Sequence, residues 1–135
     1  MELGQLIEKA KYVREKAYTP YSKFQVGAAL LTVDGSLYTG CNIENAAYPV
    51  TCCAERVAIF KAISEGRFHF KEIAVVADTK RPVPPCGSCR QVMSEFFSSD
   101  VKIHTTNLQG ETKTFTMEEI LPFSFASSDL PEDQS

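Results

Sequence analysis

A three-layer α/β/α sandwich around a mixed five-stranded sheet is the fold this sequence predicts. Over residues 71–106 a strand-like apolar run, a helical segment and a second strand follow one another, an order that implies a right-handed crossover between parallel strands. Two further β-like runs flank Asp34-Gly35, a strong hairpin signal, and add antiparallel pairing. Helical periodicity near the N-terminus supplies another helix to cover the sheet.

Residues Glu2 to Ala17 place Leu3, Leu6, Ile7, Ala10, Val13 and Ala17 on one stripe with charges between them. Tyr18-Thr19-Pro20-Tyr21-Ser22 breaks the pattern. Gln25 to Val33 and Leu37 to Cys41 are the hairpin strands, and Asn42 to Cys52, polar and carrying Pro49, is a loop. Cys53 to Glu65 is helical until Gly66 stops it. Lys71 to Ala77 contains Ile73-Ala74-Val75-Val76, apolar on both faces like an interior parallel strand. Pro82, Pro84 and Pro85 mark a loop, Cys86 to Phe97 a helix and Val101 to Thr106 a strand. Asn107 to Glu111 turns the chain into a short strand at Lys113 to Phe115. Thr116-Met117-Glu118-Glu119 is a capping box for a small helix that Pro122 ends. Residues 1–135 are expected to form one domain, with a polar tail from about residue 129 that frays.

Bulk chemistry narrows the function. The formal charge is −3 and the pI about 5.4, so no basic footprint invites DNA or RNA. The first residues have neither the basic nor the apolar region of a signal peptide. The longest apolar stretch, Val26 to Leu31, is far too short to span a bilayer. A cytoplasmic protein without nucleic-acid or membrane partners is expected. Its five cysteines are an odd number, and a Cys-x-x-Cys in a reducing compartment points to metal binding or redox chemistry.

Cys53-Ala54-Glu55 and Pro85-Cys86-Gly87-Ser88-Cys89 together supply three thiols and a carboxylate. Three ligands, Cys53, Cys86 and Cys89, would leave the fourth corner of a tetrahedral Zn²⁺ open to water, as catalysis requires. Glu55, beside a ligand but off the metal, is the candidate proton carrier. Each fragment opens a helix, so two N-terminal dipoles would offset the excess charge of three thiolates. Arg56 and Arg90 follow the two fragments, and at least one is expected to donate to a ligand sulfur. A thioredoxin-like dithiol would leave Cys53 and Glu55 idle.

These fragments, with Tyr21-Ser22-Lys23-Phe24-Gln25-Val26-Gly27-Ala28 and Gly40-Cys41-Asn42-Ile43-Glu44-Asn45-Ala46-Ala47-Tyr48, resemble the short, homotetrameric cytidine deaminases over about residues 10–126. Cys53 stands where many relatives place His. The resemblance implies a zinc-dependent hydrolase, with one Zn²⁺ per subunit, that converts cytidine and 2′-deoxycytidine to the uridine nucleosides with release of ammonia, in pyrimidine salvage. Water activated at the metal would add to C4 of the base while Glu55 protonates N3 and then the departing amine. Asn42 and Glu44 would bind the ribose 3′-hydroxyl, Phe24 would line the pocket, and the backbone at Ala54 would read the pyrimidine edge. Ala46 belongs to the same substrate-binding set. Tyr48 and Phe125 would serve a neighbouring subunit's site, Phe125 stacking near the base.

The residues taken singly leave plainer readings open. Glu55 alone reads as a solvated first-turn carboxylate, Asn42 and Glu44 as loop polar groups, and Phe24 and Phe125 as core. Cys41 reads as a small buried side chain. Cys52 or Cys41 could complete a closed, non-catalytic zinc site. An aminopyrimidine antibiotic or single-stranded nucleic acid could replace the nucleoside, the latter opposed by the acidic pI. His69 and His104 fall outside every motif.

Overall fold

The computed structural model describes residues 1–131, so the last four residues of the tail expected to fray lie outside the described residues. Its five-stranded sheet has the order β2-β1-β3-β4-β5. The strands are β1 (Val26–Thr32), β2 (Leu37–Cys41), β3 (Phe70–Ala77), β4 (Lys102–Thr106) and β5 (Thr112–Phe115). Only β3 and β4 pair in parallel, joined through α3 (Gly87–Phe96); the other pairs are antiparallel. The remaining helices are α1 (Leu3–Arg14), α2 (Ala54–Ser64) and α4 (Met117–Ile120).

The side-chain alternation of the two central strands explains the layers. Ala28 and Leu30 of β1, with Ile73 and Val75 of β3, pack against Ala58, Ile59, Ala62 and Met93 of α2 and α3. Their neighbours Ala29, Leu31, Ala74 and Val76 face the other way and meet Leu6 and Ala10 of α1. Both strands are buried on both faces, which is why they read as unbroken apolar runs. The hairpin turns at Gly35, whose φ of 90° suits a residue without a Cβ. Asp34 fixes the turn by accepting hydrogen bonds from the Thr32 hydroxyl and the Ser36 N–H.

Two features place α2. Cys53, at its N-cap, has an extended backbone, and helix geometry begins at Ala54. Gly40 of β2 lies so close beneath that a Cβ there would sit 2.4 Å from the Ala54 carbonyl oxygen and 2.6 Å from the Ala58 nitrogen. Cys86 occupies the same N-cap position on α3. The loop at 42–52 is more ordered than its composition suggests. Ile43 exchanges backbone hydrogen bonds with Cys52, and Tyr18 pairs with the stretch from Asn42 to Glu44. Residues Tyr48–Val50 form a single 3-10 turn.

Candidate active site

The N-termini of α2 and α3 converge at the carboxyl ends of β3 and β4, where crevices of open α/β sheets form. There the Cys53, Cys86 and Cys89 sulfurs lie within 4.8 Å of one another. Cys53 Sγ is 3.7 Å from Cys86 Sγ, and Cys86 Sγ is 3.4 Å from Cys89 Sγ. Zinc–sulfur bonds of about 2.3 Å in tetrahedral array require sulfurs about 3.8 Å apart, so the trio fits a Zn²⁺ ion. Neither Cys41 nor Cys52 joins it, so a closed four-sulfur site has no fourth sulfur among the described residues. Burial pushes the thiols of both outlying cysteines up.

The local electrostatics favour a thiolate at Cys53. A hydrogen bond from Cys89, followed by those from Arg56 and Cys86, holds the Cys53 thiol down at about 5 against the opposing effect of burial. Donation to Cys53 pushes the Cys89 thiol up. Neither Cys53 nor Cys86 caps its own helix through its side chain, and both sulfurs lie at helix N-termini, where the dipole favours negative charge.

Of the two arginines expected near sulfur, Arg56 donates from Nη2 to Cys53 Sγ at 3.4 Å and to the Thr51 carbonyl at 3.3 Å. Arg90 instead reaches backbone carbonyls: Nε donates to Pro85 at 2.7 Å and Nη1 to Ile120 at 2.8 Å. It bonds no ligand sulfur. The planar guanidinium suits two carbonyls on separate segments.

Glu55 is 5% exposed, which removes the reading of it as a solvated first-turn carboxylate. Burial raises its carboxyl to about 7, outweighing its own backbone hydrogen bond. It shares with Cys53, Cys86, Ala54, Phe24 and Asn42 a cavity of about 240 Å³, room for a small molecule. Asn42 Oδ1 accepts from the Val26 N–H at 2.8 Å, and its Nδ2 donates to the Phe24 carbonyl at 2.8 Å. An amide so held keeps one donor and one lone pair for a ligand. Phe24 is 43% exposed and edges the cavity, so it is not core.

Glu44 does not line that cavity. It faces a shallow neighbouring groove with Tyr21, Ser22, Tyr48 and Thr51. The Ser22 hydroxyl, with the Ser22 and Tyr21 N–H groups, keeps its carboxyl below the usual range. Ala46 and Tyr48 are exposed on the 42–52 loop, Tyr48 set edge-on to Tyr21 with ring centres 5.7 Å apart. Phe125 is 58% exposed in the C-terminal segment, so it too is not core.

Sequence reasoning missed most of the cavity's floor. Val26, Val75, Ala77 and Thr106 come from strand ends, and Val83 and Pro84 from the loop before Cys86. For Val75, Ala77 and Thr106, a position toward the carboxyl ends of the parallel pair β3 and β4 was the available signal.

Comparison with known proteins identifies this arrangement. Residues 1–105 match the family model described as the cytidine and deoxycytidylate deaminase zinc-binding region. The chain is 58% identical over 130 residues to a cytidine deaminase of Halalkalibacterium halodurans, covering 96% of this chain and 98% of that one. It is 54% identical over 130 residues to a cytidine deaminase of Sporosarcina psychrophila, covering 96% of each. A crystal structure of cytidine deaminase from Burkholderia pseudomallei superposes with a TM-score of 0.90 at 48% identity, over 93% of this chain and all of that one. The family match over most of the chain and the high identity to these relatives agree with a zinc-spaced sulfur trio beside a buried carboxyl: the chain belongs to the zinc-dependent cytidine deaminase family.

Proposed function

We propose that this protein hydrolyses cytidine and 2′-deoxycytidine to uridine and 2′-deoxyuridine, releasing ammonia as a step of pyrimidine salvage. The observation that carries the reading is a buried carboxyl, Glu55, sharing one small cavity with Cys53 and Cys86 of a three-sulfur cluster able to hold a metal ion, whose third member, Cys89, is buried behind it.

Cys53, Cys86 and Cys89 hold the Zn²⁺. When bound, the ion lowers the pKa of water and so supplies a nucleophile near neutral pH. The protein's own groups do the rest. Glu55 takes a proton from the incoming water as oxygen bonds to C4 of the base. It delivers that proton to N3, then carries the remaining hydroxyl proton to the amino nitrogen as the C4–N bond breaks. Water and substrate thus become the C4 carbonyl of the uracil ring and ammonia, with every proton accounted for. A carboxyl raised to about 7 suits a group that must accept and then donate near neutrality. Arg56 offsets thiolate charge at Cys53.

Phe24 forms one wall for the base, and the backbone at Ala54 reads its polar edge. Asn42 offers its remaining donor and lone pair to the ribose. Glu44 reaches the 3′-hydroxyl from the neighbouring groove, with Ala46 beside it. Tyr48 and Phe125 serve the site of a neighbouring subunit in a homotetramer. Their exposure outside this chain's own cavity supports that role. Arg90 acts on backbone rather than on sulfur. The whole chain works as one deaminase domain in the cytoplasm. In support, its cysteines are unpaired and no helix among the described residues is long and apolar enough to cross a membrane.

The test is turnover of cytidine, followed by loss of its long-wavelength absorbance and by ammonia release, in wild type and Glu55→Gln with zinc per chain measured in both. Wild type turns over, and a zinc-replete Glu55→Gln falls by about 10²–10⁴-fold or more. Normal turnover by that variant would remove Glu55 from the mechanism.

A further inference from the structure

Arg90 and Gln91 directly follow Cys89 on α3, and the chemistry above uses neither side chain. Arg90 grips two carbonyls, that of Pro85 just before Cys86 and that of Ile120 at the end of α4. Gln91 Nε2 donates to the Phe125 carbonyl at 3.1 Å. Ile120 and Leu121 also donate their N–H groups to the Thr116 and Met117 carbonyls of α4. Among the described residues, the Gln91 bond is the only one that ties residues 122–126 to the chain before them. Ile120 is anchored in the core and Leu121 packs against it, but further on Phe123 is fully exposed and Phe125 more than half. Phe123 also has φ 49°, in the left-handed region that a residue with a Cβ disfavours. Such a conformation persists only where neighbours over-determine the path. The grips of Arg90 and Gln91 fall on either side of it, at Ile120 and Phe125.

We propose that Arg90 and Gln91 are positioning residues that fasten the C-terminal segment to the turn carrying Cys86 and Cys89. The metal turn of one subunit thereby sets the placement of the phenylalanine it lends to its neighbour. This rests on the shared-site reading of Phe125 given above. Arg90 holds the base of the segment and Gln91 its tip, so loss of Gln91 frees Phe125 while leaving the metal turn intact.

Hybrid oligomers test this in trans. Glu55→Gln protomers, inactive but carrying Phe125, are mixed with Phe125→Ala protomers, which keep Glu55; recovered activity reports Phe125 lent across the interface. Adding Gln91→Ala to the Glu55→Gln protomer is expected to cut recovery by about 3- to 10-fold, the loss of one hydrogen bond, chiefly through KM. Placing Gln91→Ala on the Phe125→Ala protomer instead lowers recovery less, because there the segment has no ring to deliver. Zinc per chain stays at one throughout. In the same protein, hydrogen exchange over residues 121–126 accelerates in Gln91→Ala and returns toward wild type in Gln91→Glu at a pH that protonates the new carboxyl. Equal losses from both placements, or unchanged exchange over 121–126, would overturn the proposal. If the parental mixture recovers nothing, the shared-site reading falls and exchange alone decides the clamp.

Discussion

Gly40 sits where strand meets catalytic helix, and replacing it with alanine is a severe local test of how the site is held. The added Cβ would lie 2.4 Å from the Ala54 carbonyl oxygen and 2.6 Å from the Ala58 nitrogen, both backbone atoms of α2 that no rotamer change can move. Ordinary contact begins near 3.4 Å, so the first turns of α2 must withdraw by about 1 Å. That turn carries Ala54 and Glu55 and begins at Cys53. Overpacking of this kind costs about 1–3 kcal/mol of stability. A displacement of about 1 Å at reacting groups costs about 10²-fold in rate. The control is Leu6→Ala, which removes a buried side chain beneath α1, far from the cavity, at a cost of about 2–5 kcal/mol. With kcat/KM and zinc per chain measured at a temperature where both variants are fully folded, Gly40→Ala should lose about 10²-fold and Leu6→Ala almost nothing. Equal activity in the two would refute the claim that strand-to-helix contact sets the geometry of the site.

Three further outcomes follow from the same contacts. Arg56→Ala removes a donor to Cys53 Sγ and should weaken zinc affinity by about 10–100-fold in a chelator competition, with Arg56→Lys retaining part of it. Buried Glu55, raised from 4.5 to about 7, should make the native state weaker as pH rises. Below pH 4.5 the carboxyl is neutral both folded and unfolded. Between 4.5 and 7 the unfolded chain loses its proton first, so the carboxyl's contribution to stability falls and levels off above 7. With metal stripped from both, Glu55→Gln should therefore match wild type in denaturation near pH 4.5 and exceed it by up to about 3 kcal/mol near pH 8. Glu44→Gln weakens acceptance from Ser22 and the two backbone N–H groups, and should raise KM for cytidine more than it lowers kcat. A matched fall in kcat alone would contradict a sugar-binding role.

The elements were legible wherever periodicity and punctuation agreed. The hairpin around Asp34-Gly35, the two-faced run in β3 and the Thr116 capping box each state their own geometry locally, and the strands and helices lie within a few residues of where those signals put them. The metal cluster was legible because ligand spacing is itself local chemistry: Cys86 and Cys89 are one turn apart, and Cys53 opens the other helix. What the sequence hid depends on long-range backbone partners. Nothing in the string links Arg90 to the Ile120 carbonyl 30 residues on, so it read as a partner for sulfur. Glu44 stands two residues from Asn42, yet the two line different depressions, Asn42 held by the backbone of Phe24 and Val26 and Glu44 by Tyr21 and Ser22. Phe24 and Phe125 resembled core because burial of a phenylalanine is decided by tertiary packing, not by its neighbours in the chain.

The most direct measurement is X-ray absorption at the zinc edge on the purified, zinc-loaded protein. One zinc per chain is expected, with three sulfurs at about 2.3 Å and one oxygen at about 2.0 Å. Four sulfurs around the ion, a carboxylate from Glu55 in the first shell, or no stoichiometric zinc would contradict it.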